Sequence, residues 1–300
     1  ASNAETRPWL RPVAANLNGP GGALVSAMVG HEKLINAAIT SDGRRAVSAS
    51  FNGTIELWDL TAAVKIGTVR RNNMYTLEGG PQFDRFVLSG SGRYLITVSR
   101  HFGYSAWELR TAASDDDHSA RSSVPSDDDP DNRVLIPAGQ SIRQWDPQHG
   151  FRDFCTTQGR VTTLTTKHSN CSVVAAFDDK TIHLFDLRDS SELRAFRGPD
   201  ADNIVALFDT LADDLILCVT DKAVSRWDWC NGASLNSWQA AGNIRAAANV
   251  KRGKEILLAL ADQTLRLYDV ESGAELSVLD RNSSSISSLK SSQDGHIVVS

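Results

Sequence analysis

Arg45-Ala46-Val47-Ser48-Ala49-Ser50-Phe51-Asn52-Gly53-Thr54-Ile55-Glu56-Leu57-Trp58-Asp59 is the stretch on which the fold turns. A short run of small and apolar residues (45–50) reaches a tight polar turn at Asn52, and a second run leads to an aromatic and then an acid. Asn suits the turn because its side chain bonds nearby backbone amides and tolerates left-handed geometry. Outward from this stretch the same pattern returns. Aromatic-acid endings stand at Trp58-Asp59, Trp107-Glu108, Trp145-Asp146, Phe185-Asp186, Trp227-Asp228 and Tyr268-Asp269. Their aromatics are 49, 38, 40, 42 and 41 residues apart.

A strand of apolar or β-branched residues precedes each ending, at 45–50, 94–99, 134–138, 172–177, 215–220 and 255–261. Six residues before each aromatic stand Asn52, His101, Gly139, Asp179, Asp221 and Asp262, so four of the six turns carry Asp or Asn. Short strands and polar turns at a period near 40 are the spacing of four-stranded propeller blades.

Length and composition narrow the function. The 300 residues, 41% hydrophobic and 22% charged, have the make-up of a globular domain, and no apolar run approaches the roughly 20 residues of a spanning helix. The net charge of -5 is local: residues 114–133 hold seven acids against Arg121 and Arg133, so the remainder is neutral and offers nucleic acid no basic surface. Cys155, Cys171, Cys218 and Cys230 show no CxxC pair and no histidine at zinc-finger spacing, so they read as reduced core thiols and no metal is expected.

Gly30-His31, then Thr40-Ser41-Asp42-Gly43, then residues 46–59 resemble the full signature of the WD-repeat β-propeller family. The resemblance covers about residues 23–300. It implies an all-β fold, a seven-bladed β-propeller of WD-repeat type with four-stranded blades. In blade 1 it assigns a buried hydrogen-bonded set to His31, Ser48, Asn52 and Trp58. Two departures stand out: Asn52 replaces the family's preferred Asp, and Gly-His is missing from the other five repeats, whose internal networks must be incomplete.

By the same resemblance, residues 23–29 form an N-terminal strand that closes the last blade, while 285–291 and 296–300 begin a seventh. The next aromatic is due about 41 residues after Tyr268, beyond Ser300, so the chain is expected to be a fragment of a longer protein. Residues 1–22, with Pro8-Trp9-Leu10-Arg11-Pro12, read as a linker or docking segment, and 23–300 as the propeller. Residues 114–132, rich in Ser, Asp and Pro, form an acidic insertion unable to bury enough surface to order itself. An outer strand of blade 2 and an inner strand of blade 3 belong near it, but the sequence does not place them.

No P-loop, zinc-protease, nucleophile-elbow or EF-hand pattern is present. The expectation is a non-enzymatic module without cofactor, in which a rigid propeller presents loops to a protein partner or to other domains of its parent chain. The first interval is long, and its extra residues fall in the loop 70–84. Phe51, Arg70, Arg71, Met74, Tyr75, Arg100, His101, Phe102 and Tyr104 gather there as the expected partner-binding patch, being of the types enriched at interface hot spots. The linker and first repeat also look like propellers attached to NACHT or apoptosome-type ATPases, which implies a sensor in a cytoplasmic signalling protein, with a nuclear site open. Two rivals remain: a constitutive scaffold subunit, and a small-ligand binder or enzyme using the central channel.

Overall fold

The computed structural model describes residues 34–40, 42–50, 54–70, 85–89, 91–99, 103–109, 133–167, 172–199, 203–210, 215–229, 231–281, 286, 288–292, 295 and 298–299. Blade 1 is an antiparallel meander of β1 (Leu34–Ile39), β2 (Arg45–Ser50), β3 (Thr54–Asp59) and β4 (Val64–Arg70). Blade 2 contains β5 (Arg85–Leu88), β6 (Tyr94–Ser99) and β7 (Gly103–Glu108), and blade 3 contains β8 (Val134–Pro137), β9 (Ser141–Asp146) and β10 (Gly150–Thr156). Blade 4 is β11 (Val161–Lys167), β12 (Ser172–Phe177), β13 (Thr181–Asp186) and β14 (Glu192–Arg197). Blade 5 is β15 (Ile204–Asp209), β16 (Leu215–Thr220), β17 (Ala223–Asp228) and β18 (Ala233–Gln239). Blade 6 is β19 (Ile244–Val250), β20 (Glu255–Leu260), β21 (Thr264–Asp269) and β22 (Glu275–Arg281).

The described residues form six blades rather than the expected seven. The stretch expected to begin the seventh gives only a two-residue ladder, β23 (Lys290–Ser291) with β24 (Val298–Val299). A blade holds together by burying both faces of three or four strands, and among the described residues of this stretch Ile286, Leu289 and Val298 join a core cluster. The ladder nevertheless sits in the ring. The innermost described strands neighbour one another in the order β1, β5, β8, β11, β15, β19, β23 and back to β1, with the second strand β8 standing for blade 3. Ser288 Oγ lies 3.3 Å from Asn36 Oδ1 across that junction. The expected closing strand at 23–29 lies outside the described residues, as does the expected acidic insertion. Blades 2 and 3 show three described strands each, and the two strands the sequence does not place are not among the described residues.

The core lies in the seams between blades. Along β16, Leu217 and Val219 pack toward blade 6 while Ile216 and Cys218 pack toward blade 4. Along β20, Ile256 and Leu258 face blade 5, and Leu257 and Ala259 face the closing ladder. Alternate side chains of one strand thus serve two seams, so the second strand of a blade is apolar at almost every position, as in Ser172–Phe177, where all six residues are buried.

Outer strands depart from regular pairing at a fixed place. In blades 1, 4, 5 and 6 a β-bulge falls beside the repeat aromatic, leaving Ile66, Leu193, Leu235 and Leu276 as the extra residue. A bulge bends and twists the outermost strand, one of the devices by which sheets blunt an exposed edge.

Candidate functional site

The acid that ends each repeat closes a turn. Asp59 Oδ1 accepts the amides of Thr61 and Ala62 at 2.8 and 2.9 Å, and Asp269 Oδ1 accepts Ser272 N at 2.8 Å and its hydroxyl at 2.6 Å. Asp146 takes the amides of Gln148 and His149 and the Nη2 of Arg152. Asp186 and Asp228 accept the amides of Arg188 and Asn231 in the same way, and four residues after each of these five aspartates the backbone is left-handed, at Ala63, Gly150, Ser190, Gly232 and Gly273. Glycine supplies that conformation without strain in three turns, whereas Ala63 and Ser190 bear its cost in blades 1 and 4. Glu108, one methylene longer, instead binds the Arg93 guanidinium at 3.1 Å.

At the opposite ends of the blades the turn acids begin polar chains. In blade 4 the Thr181 hydroxyl donates to Asp179 at 2.6 Å, His183 Nε2 lies 2.9 Å from that hydroxyl, and His183 Nδ1 lies 3.0 Å from Glu192. Blade 6 repeats the chain with arginine: Thr264 bonds Asp262 at 2.6 Å, and Arg266 reaches Thr264, Asp262 and Glu275 at 3.0, 3.1 and 2.9 Å. In blade 1 the same cross-strand pair has inverted charge, Lys65 to Glu56 at 3.1 Å. Hydrogen bonds from the Thr181 side chain and backbone hold Asp179 below the ordinary aspartate range, and bonds from Thr264 and Arg266 do so for Asp262. These chains join strands of one blade. They are supports, with each acid already occupied by donors.

Of the hydrogen-bonded set implied for blade 1, Trp58 Nε1 donates to Ser48 Oγ at 2.7 Å within the buried core, while His31 and Asn52 lie outside the described residues. Blade 2 makes the same diagonal tie, Trp107 to Thr97 at 3.0 Å. Blade 5 uses a different one: Trp227 donates to Ser225 of its own strand at 2.8 Å, and Ser225 donates to the Cys218 carbonyl. Burial pushes the Cys218 thiol up to about 12 against a hydrogen bond from Ser225.

Of the expected partner-binding patch, Tyr104 is half-buried in the seam of blades 2 and 3. Its ring lies 5.4 Å from that of Phe151, and the Arg143 guanidinium sits 5.1 Å over it. Arg70 ends the outer strand of blade 1. Phe51, Arg71, Met74, Tyr75, Arg100, His101 and Phe102 lie outside the described residues. Among the described residues no group of three or more His, Cys, Asp or Glu could hold a metal ion, and no helix is long and apolar enough to cross a membrane.

Sequence reading missed the rim. Every large hydrophobic left exposed among the described residues is on an outer strand: Val64, Leu193, Leu235, Leu276 and Val278. Leu193, Leu235 and Leu276 hold the same bulge position in three successive blades, and that recurrence at intervals of 42 and 41 residues was the available signal.

Comparison with known proteins agrees with this geometry. Residues 22–59 match the family model described as WD domain, G-beta repeat. A curated relative, Autophagy-related protein 16 of Arabidopsis thaliana, is 23% identical over 172 residues, which is 55% of this chain and 34% of that protein. The chain therefore spans about a third of the length of the relative it matches. Among solved structures, the Cps50 (Swd1) β-propeller domain of Myceliophteria thermophila superposes with a TM-score of 0.69 at 12% identity, covering 88% of this chain and 91% of that one. These likenesses and the six-bladed ring support a WD-repeat β-propeller.

Proposed function

We propose that this chain is a non-enzymatic protein-interaction module, a propeller that presents its connecting loops to a partner or to other domains of its parent chain. One observation carries the reading. The recurring polar side chains are engaged in closing turns and joining strands, as in Asp179-Thr181-His183-Glu192, which makes a stiff frame whose variable parts are the loops. The patch of Phe51, Arg70, Arg71, Met74, Tyr75, Arg100, His101, Phe102 and Tyr104 is the surface proposed for the partner.

The match to only part of a longer relative fits a propeller that is one part of a multidomain protein. The regulatory reading goes further: the propeller acts as the sensor of a cytoplasmic signalling ATPase of the NACHT or apoptosome type. Its rival is a constitutive scaffold subunit, and a nucleotide-dependent change in the assembly state of the parent protein separates the two. Affinity capture with the wild-type chain and an Arg71→Glu/Arg100→Glu variant, read by quantitative mass spectrometry, tests the patch. The expected result is a loss of roughly tenfold or more in recovered partners, the scale of one or two interface hot spots. Equal recovery would remove these residues from the interface.

A further inference from the structure

Blades 4 and 6 carry the same four-part chain, built on different cations. In blade 6, Asp262, Thr264, Arg266 and Glu275 are joined in turn at 2.6, 3.0 and 2.9 Å. In blade 4 the corresponding residues are Asp179, Thr181, His183 and Glu192, joined at 2.6, 2.9 and 3.0 Å. The registers agree: Glu192 pairs with Phe185 and Glu275 with Tyr268, so each acid leans along the hairpin to the residue two positions before the repeat aromatic. The side chains of His183 and Arg266 are also alike in exposure, at 24% and 21%. Arginine keeps its charge at any pH a protein meets, whereas histidine changes charge between about pH 5 and 8.

The hydrogens of the chain fix which form of His183 the geometry needs. Asp179, held below the ordinary aspartate range by bonds from Thr181 and by the charge of His183, is a carboxylate and only accepts. The Thr181 hydroxyl donates its single hydrogen to Asp179 and so presents a lone pair to His183 Nε2, while Glu192 presents a carboxylate oxygen to Nδ1. Both ring nitrogens therefore face acceptors, and only the doubly protonated imidazolium donates to both. With one proton on the ring, either Glu192 loses its donor or Thr181 must turn its hydrogen away from Asp179. Phe177 of β12 and Phe185 of β13 flank the ring, with centroids at 4.5 and 6.1 Å. From blade 3, Cys155 of β10 lies near enough to Glu192 to feel its charge; burial and that charge hold the thiol above its ordinary range, so it stays neutral beside the clamp.

We propose that Asp179-Thr181-His183-Glu192 is a proton-operated clamp on the outer strand of blade 4. With a proton on each ring nitrogen His183 ties β13 to β14, and loss of one proton to solvent frees Glu192 and loosens the start of β14. The folded geometry suits the protonated ring, so the clamp acts while the ring is protonated and both carboxylates are ionised, and its contribution is lost as rising pH removes the proton. The loosening is local, because β14 has five of its six residues exposed and its pairing with β13 is already interrupted by the bulge at Leu193, beside Glu192. Blade 6 holds the same clamp shut through Arg266. None of these residues belongs to the loop patch proposed for the partner.

Hydrogen exchange of the full chain, read by mass spectrometry from about pH 5 to about pH 8 and corrected for the intrinsic pH dependence of exchange, tests the proposal. In the wild type, protection across residues 187–197 is expected to fall about two- to fivefold over this range, the scale of one partly exposed ion pair, while residues 270–281 of blade 6 hold constant. His183→Arg, which copies blade 6, is expected to abolish the fall. Glu192→Gln, at an exposed position, removes the carboxylate from outside the ring and is expected to flatten the profile as well. Unchanged thermal unfolding of both variants verifies the fold. Wild-type protection across 187–197 that does not change with pH overturns the proposal, as does a fall of equal size in either variant or in residues 270–281.

Discussion

In blade 1 the Trp58 indole donates to Ser48 at 2.7 Å, whereas in blade 4 Phe185 stands at the same point of the repeat, and Ala175 occupies the position that corresponds to Ser48. Both aromatics are buried, at 7% and 4% exposure. The hydrogen bond is therefore optional, and burial of a large flat side chain in the seam is what the position requires. Blade 4 ties its strands elsewhere, through the chain from Asp179 to Glu192. The two blades reach one geometry by different divisions between apolar packing and polar bonding.

Phe185→Ala breaks the packing side of this comparison and should have the largest effect, about 3–5 kcal/mol in urea unfolding, because Phe154, Val161 and Val173 are left around a cavity. Next comes the left-handed turn residue. An added Cβ at Gly273, where φ is +69°, would lie 2.6 Å from Trp238 Cγ, so Gly273→Ala should cost about 2–4 kcal/mol in the same measurement. At the corresponding position of blade 1, where φ is 55°, Ala63→Gly should instead stabilise slightly, which a calorimetric scan would read as a higher Tm. Trp58→Phe imitates blade 4 and should cost about 1 kcal/mol, since the ring stays buried and one hydrogen bond is lost. A cost as large as that of Phe185→Ala would mean that the Ser48 bond, not burial, holds blade 1.

The smallest effect lies in the turn acids. Burial pushes the Asp146 carboxyl up, but the His149 backbone and side chain and the nearby Arg152 bring it below the ordinary aspartate range. Asp179, Asp262 and Asp269 are lowered by hydrogen bonds from Thr181, Thr264 and Ser272. A carboxyl whose folded value is depressed contributes its stability above the unfolded value and loses it as pH falls through the folded one. Thermal stability should hold at neutral pH and decline below about pH 4, and Asp146→Asn should flatten part of that decline.

The middle strands were legible because their chemistry is uniform. Residues 45–50, 94–99, 172–177 and 215–220 were read as strands at the bounds the structure gives, since burial on both faces demands apolar runs. Apart from the closing strand expected at 23–29 and the start of a seventh blade, inner and outer strands were not read. β11 (Val-Thr-Thr-Leu-Thr-Thr-Lys) and β18 (Ala-Ser-Leu-Asn-Ser-Trp-Gln) carry bulges that break the two-residue alternation on which strand recognition depends. The polar chains were equally hidden, because Thr181 and Glu192 stand 11 residues apart and meet through His183 only when β13 and β14 pair.

By itself the sequence determined the repeat, its period and the anchors of each blade, because an aromatic to bury and an aspartate to close a turn act within one or two hairpins. Tertiary structure decided how many blades the described residues complete and which face of each strand meets which neighbour. Those outcomes depend on contacts between segments some 40 residues apart and, at the junction of Asn36 with Ser288, on two ends of the chain meeting around a ring.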